Sequence, residues 1–200
     1  MKLLLIRHPK PDVIEGTCYR RTDVPPEQAD LAGLLERLRR RWRSGAHPPP
    51  RAVYSSPLQR CATVAGALAG DVWPHPTFDE RIAEMHFGHW EGRLWAELPR
   101  EEIAAWRADI AHHVPPGGES LSQMAQRAHA FAQELTARHP EDPDCEIVLM
   151  THVGIIQTLP RMLLGEPLRG FAGNPIDYGS ITRLVLRDGR FERDGTNMTP

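Results

Sequence analysis

The chain has no long hydrophobic run. Its first apolar stretch covers only residues 3–6, before the polar side chains of Arg7 and His8. This is too short for the apolar region of a signal peptide and far below the roughly 20 residues of a membrane-spanning helix. We therefore predict no association with a membrane and a cytoplasmic location.

Cysteine is also scarce. The three cysteines, Cys18, Cys61 and Cys145, are odd in number and widely spaced, and no CxxC pair occurs. A zinc ribbon, a thiol redox motif and a disulfide framework all depend on paired cysteines. We expect three free thiols in a reducing compartment.

An excess of charge of one sign is missing as well, because 24 Lys and Arg face 26 Asp and Glu, for a formal net charge of -2. Such a balance gives no global attraction to nucleic acid or acidic lipid. The arginine-rich run at residues 37–43 shares its helix with a leucine stripe and lacks an aromatic platform. This run therefore predicts a solvated helix face rather than a nucleic-acid surface. Any anion site must be local.

The 200 residues fit one domain, since a single core grows efficiently to about 250 residues. Short apolar runs at residues 2–7, 52–55 and 145–151 predict buried strands, and residues of helical spacing lie between them. This order predicts an α/β fold with three layers, in which helices cover both faces of a mostly parallel central sheet. A hairpin of residues 181–186 and 191–193 is expected to add an antiparallel edge.

Polar side chains follow three of these strands. Arg7 and His8 end the first strand, His152 ends the strand at 145–151, and Arg60 lies in the first turn of a helix predicted to start at Pro57. The carboxyl edge of a parallel sheet is where open α/β folds bind ligands. Arginine forks and helix N-termini are suited to phosphate, so these residues predict one phosphate site.

The same residues suggest a chemistry. A neutral His8 can attack phosphorus, a protonated His152 would help to neutralise the developing charge, and this pair predicts a bell-shaped pH–rate profile. A carboxylic acid must protonate the departing alkoxide. Glu84 and Glu91 are the local candidates, the spacing does not choose between them, and Glu119 is held in reserve.

No metal or other cofactor is predicted. His86 and His89 lie close to Glu84 in the sequence, which is a weak hint of a metal site. However, no third and fourth ligand occurs at a familiar spacing. A small phosphate monoester is therefore the only partner that the residues indicate, and the oligomeric state is left open.

Five blocks, taken together, resemble branch 1 of the histidine phosphatase superfamily, which contains phosphoglycerate mutases and many small phosphatases. They are Arg7-His8, Ser55-Ser56-Pro57-Leu58-Gln59-Arg60, residues 84–92, Gly117-Gly118-Glu119-Ser120 and Thr151-His152-Val153-Gly154. The resemblance implies a phosphoglycerate mutase-like fold and hydrolysis of a phosphate monoester. It also implies that His8 forms a phosphohistidine, that Arg7, Arg60 and His152 hold the phosphoryl oxygens, and that Glu84 is the proton donor and acceptor.

Within the superfamily, residues 7–25 most resemble α-ribazole phosphatases, which implies α-ribazole 5'-phosphate of cobalamin synthesis as substrate. The chain departs from the superfamily motif at Pro9, Pro11 and Ile14, which replace a Gly, a hydroxyl residue and an Asn. Tyr19 or Thr22 is expected to supply the missing polar contact. Val153 is a further candidate for substrate binding.

The remaining expectations concern organisation and alternatives. The irregular residues 79–118 predict an inserted cap segment over the active site of the single domain 1–200. A phosphoglycerate mutase and a broad-specificity phosphatase are alternative enzymes. A module that binds a phosphorylated ligand without turnover is an alternative of another class.

Overall fold

The computed structural model describes residues 1–139, 142, 144–168 and 175–200. The chain forms one six-stranded sheet with the strand order β3-β2-β4-β1-β5-β6. The strands are β1 Lys2–Arg7, β2 Ala52–Ser55, β3 Thr77–Phe78, β4 Glu146–Thr151, β5 Ile181–Arg187 and β6 Arg190–Met198. The α-helices are α1 Gln28–Arg43, α2 Gln59–Leu68, α3 Arg100–Ala108, α4 Leu121–Arg138 and α5 Val153–Leu164.

The sheet confirms the predicted α/β class. Strands β1, β4, β2 and β3 pair in parallel, whereas β5 and β6 are antiparallel and form one edge. Within β1, Leu3 and Leu5 join one buried apolar cluster, and Leu4 and Ile6 join the other. Since alternate residues of a strand point to opposite faces, both faces of the sheet are covered and the fold has three layers.

The apolar stripes of the helices form the two outer layers. Leu31, Leu34 and Leu38 of α1 pack on one face of the sheet together with α2. The buried residues of α4 pack on the other face with α5. Ser120 caps α4 in a capping box with Gln123.

The start of α2 is a correction to the sequence prediction. The helix begins at Gln59 and not at Pro57, because the Ser56 side chain bonds the Leu58 N–H in a turn before the helix. Arg60 nevertheless lies in the first helical turn, as predicted. The connection between strand and helix is therefore two residues longer than a Ser-Pro cap would make it.

Residues 79–118 contain the three short 3-10 helices Glu80–Ile82, Gly88–Trp90 and Trp95–Glu97, and then α3. Phe87, Trp90, Trp95 and Trp106 pack together in this segment, with ring centroids between 5.5 and 6.2 Å apart. These contacts between aromatic rings stabilise the segment and continue the buried cluster on that face of the sheet. In the described part of the chain, no helix is long and apolar enough to span a membrane.

Candidate active site

Parallel pairing brings the two predicted histidines to one edge of the sheet. In the register of β1 and β4, Arg7 lies opposite Thr151, so that the next residues, His8 and His152, leave the sheet side by side. The His8 N–H donates to the Thr151 carbonyl at 3.0 Å. The two imidazole centroids are 5.1 Å apart, and both side chains are buried, His8 with 2% and His152 with 0% of its surface exposed.

The environment of His8 defines its tautomer. Its Nδ1 lies 2.6 Å from the Pro9 carbonyl oxygen. Because a carbonyl can only accept, Nδ1 carries the proton and Nε2 keeps its lone pair. Burial, followed by the positive charges of Arg60 and Arg7, lowers the pKa of His8 well below its usual value. His8 is therefore a neutral imidazole at neutral pH, with Nε2 available for attack.

His152 differs from the expected protonated form. Burial, then the charges of Arg60 and His8, lower the pKa of His152 well below its usual value. Its Nε2 lies 2.8 Å from Ser56 Oγ. The expected protonated form belongs to the complex with a phosphoryl group and stays a prediction; in the ligand-free protein, a positive charge buried beside a guanidinium and away from water is disfavoured.

Hydrogen bonds to backbone carbonyl groups hold the two predicted phosphate-binding arginines in place. Arg60 is fully buried and donates to the carbonyl oxygens of Thr22, at 2.8 Å, and Arg20. Arg7 donates to the Ile176 carbonyl. These bonds hold each guanidinium in place through backbone oxygens, which fixes its position without neutralising its charge.

The two arginines and His152 each have a nitrogen without a hydrogen-bond partner. Among the residues that the structure describes, Arg7 Nε, Arg60 Nε and His152 Nδ1 are buried without a hydrogen-bond partner. Buried polar groups are rarely left unpaired, because losing hydration without compensation is costly. A phosphoryl group bound between the two arginines could accept from these donors. The donor set thus fits a phosphate dianion.

The structure distinguishes the two candidate acids by position. Glu84 is buried, and its carboxylate accepts from the N–H groups of Met85, at 3.0 Å, and Gly154, at 3.2 Å. Gly154 belongs to the first turn of α5, directly after His152, so this contact brings the carboxylate to the histidine edge of the sheet. Arg20 lies 3.6 Å from Glu84 Oε2.

Glu91 has a different role in the structure. Its carboxylate accepts from the N–H groups of Phe87, Arg21 and Thr22 at 2.8 to 3.0 Å and from the Thr22 hydroxyl at 2.6 Å. It thereby ties the loop after β1 to the segment that carries Glu84. Glu84 is the better placed acid.

Glu119, the reserve candidate, is occupied by Arg127. The two side chains form a bidentate pair with bonds of 3.0 and 2.7 Å. Arg127 also donates to the carbonyl oxygens of Arg81, Ala83 and Glu84. The sequence analysis missed this pair, which holds the backbone of Glu84. The sequence does carry a signal for this pair, because Arg127 lies beside the buried stripe of α4 and follows Glu119 by eight residues.

The residues discussed for substrate binding and for the loop after β1 differ in what they contact. The Thr22 hydroxyl is bonded to Glu91, and its carbonyl to Arg60, so the side chain of Thr22 supports the loop. Ile14 is 77% exposed, and Pro11 pairs with Pro26. Val153 starts α5 and packs partly buried against the core.

Tyr19 has an aromatic partner that sequence reasoning missed, Tyr178. The two hydroxyl groups are 3.1 Å apart, and the Arg60 guanidinium carbon lies 5.4 Å from the Tyr19 ring centroid. Tyr178 lies in a loop whose path is set by contacts with residues some 170 positions earlier, and periodicity carries no signal of such contacts. No group of three His, Cys, Asp or Glu residues suited to a metal occurs in the described ranges.

Comparison with known proteins agrees with this geometry. Residues 3–199 match the sequence profile of the histidine phosphatase superfamily (branch 1). The chain belongs to this superfamily. As a histidine phosphatase domain, it is similar to the glucosyl-3-phosphoglycerate phosphatase of Mycobacterium tuberculosis, with 34% identity over 127 residues. That match covers 60% of this chain and 56% of the relative, so the chain matches little more than half of the relative's length.

Solved structures of other histidine phosphatases have the same fold. The complex of the mycobacterial glucosyl-3-phosphoglycerate phosphatase with VO3 superimposes with a TM-score of 0.85 at 26% identity, covering 99% of both chains. The α-ribazole phosphatase of Shigella flexneri has a TM-score of 0.84 at 22% identity, covering 100% of this chain and 98% of that one. The second likeness supports the phosphoglycerate mutase-like fold alone.

Proposed function

We propose that this histidine phosphatase is a phosphomonoesterase that hydrolyses a small phosphorylated metabolite through a phosphohistidine on His8. The observation that carries the proposal is the state of His8, which is buried and neutral and has its proton on Nδ1, bonded to Pro9. Its Nε2 is the nucleophile. Arg7 and Arg60 flank it and supply the two positive charges that match a phosphate dianion.

The first half-reaction transfers the phosphoryl group. His8 Nε2 forms a bond to phosphorus while the ester P–O bond breaks, and the leaving oxygen takes a proton from Glu84. The imidazole keeps its Nδ1 proton, which remains hydrogen-bonded to the Pro9 carbonyl. The unpartnered donors of Arg7, Arg60 and His152 stabilise the phosphoryl oxygens as their charge rearranges.

The second half-reaction releases phosphate. The Glu84 carboxylate accepts a proton from water, the water oxygen bonds to phosphorus, and the P–N bond to His8 breaks. His8 and Glu84 return to their starting states, so no external reactant other than water is consumed. Residues 79–118 act as the cap that carries Glu84 to the site.

The substrate is a separate part of the proposal. Residues 7–25 favour α-ribazole 5'-phosphate, whereas the relative from Mycobacterium tuberculosis is named for glucosyl-3-phosphoglycerate. Both are small phosphate monoesters. The protein works in the cytoplasm, without nucleic-acid or membrane partners and without a metal.

Phosphate release from α-ribazole 5'-phosphate, glucosyl-3-phosphoglycerate and 3-phosphoglycerate, measured with chelator present, tests the proposal. A preference of about a hundredfold in kcat/KM, near 2.7 kcal/mol, identifies the substrate. The His8→Ala variant should lose phosphate release, and His112→Ala is its control because His112 is paired only with Asp109 at the surface. Turnover by His8→Ala contradicts the mechanism.

Two other outcomes favour the alternatives. Isomerisation of 3-phosphoglycerate without release of phosphate indicates a mutase. Phosphate binding without a trapped phosphohistidine in acid-quenched protein indicates a binding module. In either case the hydrolytic proposal fails.

A further inference from the structure

Two tyrosines bridge the phosphate site. Tyr178 stacks on the Arg7 guanidinium at 3.7 Å, and its ring centroid is 5.6 Å from that of His8. The Tyr19 ring centroid lies 5.4 Å from the Arg60 guanidinium carbon, and the Tyr19 hydroxyl lies 3.1 Å from that of Tyr178. The pair therefore links the two arginines, and Tyr178 lies beside the imidazole of His8.

The backbone on both sides of the bridge is fixed. The Gly179 N–H donates to the Arg7 carbonyl at 3.1 Å, and the Gly92 N–H donates to the Cys18 carbonyl at 2.7 Å. The loops that carry the two tyrosines are thus tied to the strand β1 and to the cap segment. With the backbone held in this way, we expect the bridge to open by rotation of the tyrosine side chains, which is fast compared with loop movement.

The chemistry of the bridge is that of two neutral hydroxyl groups. Burial, followed by the hydrogen bond to Tyr178, raises the pKa of Tyr19 to about 12. Each phenol can donate one hydrogen bond and accept others. Tyr178 is 36% exposed whereas the neighbouring His8 is 2% exposed, so the bridge lies between solvent and the buried imidazole, which we take as the mouth of the site.

We propose that Tyr19 and Tyr178 form a clasp across the mouth of the phosphate pocket, and that a leaving alcohol with hydroxyl groups near its ester oxygen takes over their hydrogen bond. The inference rests on the proposed function and names the substrate class of the same site, a sugar-like or polyol phosphate monoester. A hydroxyl of the alcohol replaces the partner that each phenol loses on opening. An alkyl group leaves both phenols unpaired at a partly buried position, which costs binding.

The test compares glycerol 3-phosphate with n-propyl phosphate. The two esters share a three-carbon chain and differ only by two hydroxyl groups, so the ratio of their kcat/KM values reports recognition of these groups. For the unmodified protein we expect a ratio of about ten or more in favour of glycerol 3-phosphate. Tyr19→Phe and Tyr178→Phe each keep the ring and remove one hydroxyl.

Each single variant should lower the ratio about two- to tenfold, and the double variant should bring it close to one. The kcat/KM for n-propyl phosphate should hold steady or rise, because the clasp opens more easily. Tyr54→Phe is the matched control, since its hydroxyl bonds His139 beside α4 instead of the site. This control should leave the ratio unchanged.

Several outcomes overturn the inference. Equal turnover of both esters by the unmodified protein contradicts hydroxyl recognition while leaving the phosphatase intact. Variants in which kcat/KM for both esters rises or falls by the same factor keep the ratio and show a cover without selectivity. Variants in which both kcat/KM values are unchanged show no role for the hydroxyls. If neither ester nor the candidate substrates release phosphate, the proposed function fails and the inference fails with it.

Discussion

Replacing Gly154 by alanine tests the position of the proposed acid. Gly154 lies in the first turn of α5, and a Cβ added there would be 2.1 Å from Glu84 Oε1. Since real Cβ contacts essentially never fall below 3.0 Å, the carboxylate must retreat by about 1 Å. Its hydrogen bond to the Gly154 N–H, now 3.2 Å long, is then lost or distorted.

The backbone itself should accept the alanine. Gly154 has no left-handed backbone angle, and alanine is favoured over glycine in a helix by about 1 kcal/mol. The main expected effect of the substitution is therefore displacement of the Glu84 carboxylate. A misplacement of about 1 Å at a reacting centre costs about a hundredfold in rate. We expect kcat/KM for glycerol 3-phosphate to fall by that factor.

Substrates with different leaving groups make the assay specific. p-Nitrophenolate leaves without a proton, so kcat/KM for p-nitrophenyl phosphate should fall by less than about threefold in the Gly154→Ala variant. Gly66→Ala is the control, because a Cβ at this helical position meets nothing within 4 Å. Equal losses on both substrates, or no loss on glycerol 3-phosphate, would refute the placement of Glu84 as the acid.

Two further predictions concern pH. Because His8 must be neutral to attack phosphorus and burial lowers its pKa, kcat/KM should show an acid limb below pH 6.5; a kcat/KM that rises as the pH falls below 6.5 contradicts this. Below about pH 6.5 the unfolded chain binds protons at His8 and His152, whereas the folded protein does not. The free energy of unfolding should therefore fall as the pH is lowered below 6.5, by up to about 1.4 kcal/mol per pH unit for each of the two histidines. Urea unfolding at pH 7.5 and 5.5 checks the slope, which His8→Asn should reduce; a flat or opposite slope refutes it.

The edge of the sheet could be predicted because its signals are local. The apolar run before Arg7 and the one before His152 are each long enough for a buried strand, and parallel strands end at one edge. Arg60 was placed correctly although α2 starts two residues later than expected. Its position in the first helical turn does not depend on which residue caps the helix.

The choice between Glu84 and Glu91 could not be made from the sequence. Both lie in one irregular segment whose path is set by distant partners, Arg127 with Glu119 for the first carboxylate and Thr22 for the second. Neither contact leaves a periodic trace. Only the resemblance to a family chose between the carboxylates, and the structure adds that Glu84 bonds the first turn of α5 whereas Glu91 bonds the loop after β1.

The charges around His152 give a physical reason why it is neutral in the ligand-free protein. Arg7 and Arg60 already match a phosphate dianion, and a third buried positive charge in the ligand-free protein would be uncompensated. Burial therefore keeps His152 neutral until an anion arrives. We expect a bound phosphoryl group to reverse the balance, since a negative charge beside the imidazole favours its protonated form. The unpartnered Nδ1 of His152 is then predicted to become a charged donor when an anion binds beside it.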